Sequence, residues 1–423
     1  MCIRRLSCRI SLFIMVALNL LSTYAMGQET LGELLNETRL DDYFGLDLVV
    51  EDDITVAQNK SFQLSVEHQL AVNSQMRQRS THQLTDFRLS SEAPLGLLGY
   101  AQVELKAVQY WQAVTTPATV GQLSVPEVER LVLQYSLAEI NLKLGRYLLN
   151  WGEVEGAGVL DVINPAPTLN SMTKGYTPQW LLSGSYYRPA GQLSWFVGLK
   201  PSVAKIPEMP LHGTVPQEWG AQYSHTGAAS DWAVYLGHMV PNSPVVNLAQ
   251  ATASAKAYQL IGYSWNKAHN NDLFKFDIAY KRGLEHNLGY TGLRSDHRLD
   301  MALGLELKAG ARQWDLTAVA KHWLNYQSSY LTPATLPVAS HRTDINYSLG
   351  VKDSFNNAES DWSLVQVGTP SGSLRALTGE LGWAPTDPWR TSLNYTLILA
   401  KSNSVYASLD DTRRLTLKTK FSY

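Results

Sequence analysis

The sequence predicts an all-β fold, a single transmembrane antiparallel up-and-down β-barrel of about 16–18 strands with short periplasmic turns and long extracellular loops. Three observations predict it. Apolar and polar residues alternate with a period of two, short and long connections alternate along the chain, and tryptophans follow the short turns. With 45% hydrophobic and 17% charged residues, the chain can bury a core but is poor in charge for a soluble exported protein.

The alternation assigns each strand one apolar and one polar face. In the segment LFKFDIAYKR, for example, aromatic and aliphatic residues take one parity and most of the charged residues take the other. Lys or Arg on the lipid face costs roughly 2–4 kcal/mol at mid-membrane, so charged positions should face the lumen. The predicted pore lining comprises Lys143, Lys275, Asp277, Arg298, Asp300, Glu306 and Lys418.

The connections predict how the strands are joined. Tight turns are expected near 189–191, 227–230, 270–271, 310, 356–357 and 385–388, and polar loops are expected at 201–216, 241–254, 283–296 and 324–342. Shortly after five of the tight turns stand Trp195, Trp232, Trp314, Trp362 and Trp389. This is where an aromatic girdle would meet the periplasmic headgroups. The candidate strands near Phe87 and Trp362 are the least regular.

The chain divides into three predicted parts. Residues 1–27 have the basic, apolar and small-residue regions of a secretory signal peptide, and both cysteines, Cys2 and Cys8, lie there. Residues 28–60 form an acidic segment that contains either a short helix or a disordered leader. Residues 61–423 form the barrel. The net charge of −2 gives no electrostatic basis for binding nucleic acid.

The last residues, RRLTLKTKFSY, alternate up to a terminal aromatic residue. This strand resembles the assembly signal of outer-membrane barrels. The resemblance implies export to the Gram-negative outer membrane and recognition by the barrel-assembly machinery. The expected partners are outer-membrane lipids and a small-molecule or glycan solute, and the sequence leaves the oligomeric state open.

The sequence offers no catalytic motif. It contains neither H-E-x-x-H nor G-x-S-x-G, and its acidic clusters lack the alternating oxygen ligands of a calcium loop. We therefore expect no enzyme activity, no cofactor and no metal. A barrel hydrolase is the minority alternative.

One stretch, GRYLLNWGEVEGAGVLDVINPAP at residues 145–167, departs from the alternation. Its residues Gly145, Arg146, Asn150 to Glu153 and Asp161 to Pro165 resemble the signature of the Gram-negative outer-membrane family catalogued as domain of unknown function 1302. That family is similar in turn to alginate-export and porin-like barrels. The resemblance covers about twenty residues and implies a barrel and transport, without an assigned reaction.

After Leu149 no short turn returns the chain until about Gln179, and a connection of that length can fold into the pore. The predicted constriction or ligand residues are Arg146, Trp151, Glu153, Glu155, Asp161 and Asn164. Arg146 continues the lipid-facing parity, so we expect a bulge at Gly145 to turn it into the lumen. The alternative is that Trp151, Asn164 and Pro165 merely pin the loop to the wall.

These expectations favour a porin-like channel for a polar or amphipathic small solute, with a constriction near residues 150–170. The alternative is a barrel component of a machine that exports polysaccharide or lipid or assembles the envelope.

Overall fold

A computed structural model describes most of the predicted barrel. The described ranges are 62–75, 78–95, 98–112, 126–164, 176–201, 203, 210–228, 230–242, 244–247, 249–288, 291–331, 341–356, 359–401 and 410–423. The predicted signal peptide and the acidic segment at 28–60 lie outside these residues.

Eighteen long strands form the barrel wall, and three short strands lie in the loops. The first nine wall strands are β1 (Phe62–Gln75), β2 (Gln78–Leu95), β3 (Gly99–Gln112), β4 (Glu127–Leu137), β5 (Ile140–Tyr147), β6 (Gln179–Arg188), β7 (Gly191–Lys200), β8 (Trp219–Thr226) and β9 (Ser230–Met239). The other nine are β12 (Tyr258–His269), β13 (Asp272–Leu288), β14 (Leu293–Ala309), β15 (Arg312–Trp323), β17 (Thr343–Phe355), β18 (Ser360–Gly368), β19 (Leu374–Thr386), β20 (Trp389–Ala400) and β21 (Thr412–Ser422). The loop strands are β10 (Val245–Asn247), β11 (Thr252–Ser254) and β16 (Tyr330–Leu331).

The barrel is closed and antiparallel. Each wall strand pairs with its neighbours along the chain, and β21 pairs with β1 over ten residue pairs, from Ser65 opposite Ser422 to Ser74 opposite Arg413. Closure gives every described wall strand a hydrogen-bonding partner on both of its edges, which a sheet surrounded by lipid requires. The predicted fold class and strand number are confirmed. No helix among the described residues is long and apolar enough to cross a membrane.

The two ends of the barrel differ as predicted. At one end, connections of two to four residues join β4 to β5, β6 to β7, β12 to β13 and the other hairpins of that end. Asn270 and Gly310 adopt φ values of 55° and 66° there, a conformation that tight turns need. Longer connections predominate at the other end. The two least regular candidate strands, near Phe87 and Trp362, are both present, as β2 and β18.

One predicted loop is wrong. Residues 283–296 mostly continue strands, because β13 runs to Leu288 and β14 begins at Leu293. The register shifts between Arg282 and Leu284, and Gly283 between them has a φ of 92°. A glycine bulge lets the ladder resume beyond the irregularity, so Gly283 marks a bulge and not the start of a loop.

The outer face carries the apolar residues. Ile261, Leu303 and Leu381 are each more than half exposed, at 54%, 59% and 58%, and they lie in three different strands. Burial and register place Trp195, Trp232, Trp314, Trp362 and Trp389 on the same outer parity near the short turns. Exposed apolar side chains in such numbers form a lipid-facing belt.

Candidate functional site

Residues 148–164, which we call the inner segment, leave the wall after β5 and pack inside the barrel. The segment forms an apolar cluster with the inward faces of eight wall strands between β4 and β14, namely β4 to β7, β9 and β12 to β14. From the segment come Trp151, Val154, Leu160 and Ile163, all nearly or fully buried. The interior of this sector is therefore filled by the chain itself.

Asp277 on β13 anchors the segment. Its carboxylate accepts hydrogen bonds from the backbone N–H of Glu153, at 3.0 and 3.2 Å to the two oxygens, and from the N–H of Val154 at 3.0 Å. Asp277 is 1% exposed. Bonds from N–H groups to a carboxylate are stronger than those between neutral groups, so this contact fixes the segment against the wall.

Two further polar contacts tie the segment to neighbouring strands. Asn266 of β12 donates its amide Nδ2–H to Glu153 Oε2 at 2.7 Å. Lys281 of β13 donates its Nζ–H to the carbonyl oxygen of Gly158 at 3.1 Å. Lys281 is itself paired at 2.8 Å with Asp300 of β14, which is fully buried. The buried ammonium thus has both a counter-ion and a segment carbonyl.

Glycines in the wall make room for the large side chains of the segment. A Cβ added at Gly220 would lie 2.3 Å from the Trp151 ring, and one at Gly262 would lie 2.2 Å from Leu160 Cδ2. Trp151 packs edge-on against Phe196, with ring centroids 5.2 Å apart. The segment and the wall are therefore complementary in shape.

Asn164 closes the base of the segment. Its Nδ2–H donates to the Leu149 carbonyl at 3.1 Å and to Asn150 Oδ1 at 3.0 Å, while its Oδ1 accepts the Leu149 N–H at 3.2 Å. Gln179, the first residue of β6, donates its Nε2–H to the Ile163 carbonyl at 2.5 Å.

Asp161 is a buried acid within the segment. Burial, and then the nearby Asp277 carboxylate, raise the pKa of Asp161 to about 7, although hydrogen bonds from the Trp151 backbone and the Tyr176 side chain oppose the rise. The Asp161 carboxyl group is therefore largely protonated below neutral pH in the packed state.

The prediction for Arg146 is wrong. The register of β5 is continuous with both β4 and β6, so no bulge occurs at Gly145. Gly145 is buried, while Arg146 lies opposite Leu131 and Trp180 on the outer parity and donates its Nε–H to the Pro178 carbonyl at 3.3 Å. Gly145 serves close packing instead, because its φ is 144° and an added Cβ would lie 1.8 Å from the Leu131 oxygen. Arg146 is thus not brought together with the other predicted residues.

Of the other residues predicted for the constriction, Trp151, Glu153, Asp161 and Asn164 make the contacts given above, and Glu155 is exposed on the segment. The predicted pore-lining residues all lie on the inward parity. Lys275 pairs with Glu306 at 2.5 Å, Arg298 with Asp300 at 2.6 Å, and Lys418 with Glu67 at 3.9 Å. Lys143 Nζ lies 5.2 Å from the centre of the Tyr147 ring. Asp277, in contrast, is covered by the segment.

Sequence reasoning missed the wall residues that receive the segment, namely Phe196, Gly220, Tyr235, Gly262 and Asn266. Glycines at inward positions of long strands were the available signal, since such glycines mark a close approach of other groups.

No known family profile matches the sequence, and no curated protein matches it. Solved structures do match. The outer membrane protein OpdK from Pseudomonas aeruginosa has a TM-score of 0.56 and 8% identity, covering 86% of this chain and 98% of OpdK. OccAB2 from Acinetobacter baumannii has a TM-score of 0.55 and 9% identity over the same shares of the two chains.

The chain shares the fold of OpdK. This fold and the apolar belt are those of a multi-pass β-barrel of the outer membrane. An identity of 8% carries the likeness no further than the fold.

Proposed function

We propose that this barrel is an outer-membrane channel for a polar or amphipathic small solute, with the inner segment as its constriction. The observation that carries the proposal is the anchoring of the segment inside the barrel by Asp277, Asn266 and Lys281. A barrel of this size has room for an aqueous lumen, and a segment fixed across one sector narrows it.

The solute path we propose runs between the inner segment and the wall from β15 through β21 to β3. The inward face of this wall carries charged side chains of both signs, among them Lys418, Glu67 and Asp86. Charged groups of both signs favour solutes that can replace their bound water with hydrogen bonds to the wall. OpdK, whose fold this chain shares, was crystallised with vanillate, a small aromatic carboxylate.

Planar-bilayer conductance and liposome swelling with neutral, anionic and cationic solutes of graded size test the proposal. We expect discrete conductance steps and a size limit below that of a barrel without an inner segment. A folded, heat-modifiable protein that gives neither conductance nor swelling would contradict the channel and favour a component of an export or assembly machine.

A mutant without the segment tests the constriction separately. Replacing residues 150–163 with a short Gly-Ser linker should raise the conductance severalfold and relax the size limit. A matched control replaces Asp353, an acid on the outward parity of β17 that pairs with Arg312 near the short turns, with Asn. Equal conductance for all three proteins would show that the segment does not narrow the path.

A further inference from the structure

One row of side chains on the outer face is polar; the row on one side of it is apolar, and the row on the other side is apolar on β20, β21 and β1 but reaches Gln83 on β2. The cross-strand register aligns the row over five neighbouring strands across the junction of β1 and β21. We call it the polar row, and its members are Thr391, Thr419, His68, Thr85 and Gln109.

The register fixes the face on which this row lies. On β1, Val72 is exposed and pairs with the exposed Leu415. The pairing of β1 with β2 and with β21 has no register shift, so His68 has the same outward parity as Val72. The neighbouring rows are Leu393, Leu417, Leu70 and Gln83 on one side and Trp389, Phe421, Val66 and Phe87 on the other.

The centre of the row is a hydrogen-bonded cluster. The His68 Nδ1 and Thr85 Oγ1 atoms are 2.9 Å apart, and the Trp111 indole N–H donates to the same Thr85 oxygen at 2.8 Å. Gln83, which follows the same outer parity, places its amide Nε2 3.2 Å from His68 Nε2. These contacts orient the polar groups on the outside of the barrel.

Such a row is unfavourable against lipid. Acyl chains offer no hydrogen-bond partner, and outward positions of membrane barrels are normally apolar for that reason. Threonine hydroxyls, glutamine amides and neutral imidazoles can each donate and accept hydrogen bonds. The row of one copy can therefore bond to the same row of a second copy. In a two-fold assembly the same patch of both copies forms the contact.

We propose that the polar row is the interface through which two copies of this chain associate in the membrane. The row runs across strands that tilt by roughly 35–45°, so two rows related by an axis along the membrane normal cross at their midpoint, His68. The proposal goes beyond the channel function and does not depend on it.

Cross-linking in native membranes tests the contact. The sequence has cysteine only at positions 2 and 8, so His68→Cys adds a single thiol to the barrel. We expect a short bis-maleimide to give a species of twice the chain's mass from His68→Cys and not from the wild-type chain. The matched control is Leu303→Cys on β14, whose side chain is 59% exposed on the outer face.

A second measurement covers the case in which the cysteine itself weakens the contact. The mass of the detergent-solubilised protein should fall from dimer to monomer in the triple variant His68→Leu, Thr85→Val, Thr419→Val, while the heat-dependent gel shift persists. Equal cross-linking from positions 68 and 303, a cross-linked species that is not twice the chain's mass, or a wild-type monomer would each overturn the proposal.

Discussion

Asp277 shows how a residue on the pore-lining parity can serve another purpose. Strand parity places its carboxylate on the lumen side, but the carboxylate binds two backbone N–H groups of the inner segment. Parity predicts which face a side chain occupies and cannot predict what covers it. Gly145 makes the same point, since a strand glycine can mark either a bulge or a close contact, and here it marks the contact.

Replacing Asp277 with Asn should loosen the inner segment. Asn keeps the size but loses the charge and one acceptor oxygen, so we expect the hold on the segment to weaken by about 1.5–3 kcal/mol. Single-channel recordings should show larger and noisier conductance. Asp353→Asn, on the outward parity of β17, should behave like the wild type, and identical traces for all three proteins would contradict the anchoring role.

Asp161 should make the packing of the segment depend on pH. Its pKa is about 7 in the packed state, above the ordinary value of 3.8 expected for an unpacked segment. Because packing raises the pKa of Asp161, the protonated carboxyl group stabilises the packed state fully below about pH 4. This stabilisation decreases by up to about 1.4 kcal/mol per pH unit as the pH rises from about 4 to about 7.

Current recordings between pH 4 and 8 would measure this effect. We expect openings to become more frequent up to about pH 7 and then to level off. Asp161→Asn, which stays neutral, should flatten that rise. A rise that persists unchanged in the variant would assign it to other groups.

Among the elements, the strands follow from the sequence and the receiving surface of the wall does not. Period-two alternation predicts β12 to β15 because each residue's face depends only on its own position. The pocket for Leu160 depends on Gly262, which is about a hundred residues away, and no local pattern encodes that pairing. The misassigned loop at 283–296 has a similar cause, because a bulge glycine and a loop glycine look alike in sequence.

Filling one wall glycine should expel the segment without unfolding the wall. In Gly262→Val the new Cβ would fall 2.2 Å from Leu160 Cδ2, and valine suits a strand. We expect a normal heat-dependent gel shift together with altered conductance. Gly350→Ala is the control, since its nearest contact would be an ordinary 3.5 Å. Unchanged conductance for Gly262→Val would argue against the packing described for Leu160.

For the molecule as a whole, closure through β1 and β21 makes every wall strand part of one cooperative ladder. The effect of a substitution on the stability of the barrel in lipid then depends on whether the substituted residue faces the lipid or the lumen. The same reasoning made the fold predictable, because charges on the lipid face are costly in every strand and most charged strand residues take the inward parity, with Arg146 as an exception.

A pair of arginine substitutions tests that asymmetry. Leu303→Arg, on the outer face, should destabilise the refolded barrel by roughly 2–4 kcal/mol. Thr378→Arg, which lies on the inward parity of β19 opposite Thr396, should cost far less. Urea unfolding in liposomes, followed by tryptophan fluorescence, would measure both. Equal losses would place the two side chains in similar surroundings and contradict the assignment of faces.

The hydrogen bonds between Asn164 and Leu149 determine how the inner segment can change in length during evolution. Because Leu149 and Asn164 are joined, the fourteen residues between them begin and end at one point. Insertions or exchanges within that interval leave β5 and β6 where they are, and lengthening a closed loop costs little free energy. The inner segment can therefore change in length while the wall strands keep their places, provided that the side chains packed on Gly220 and Gly262 are kept.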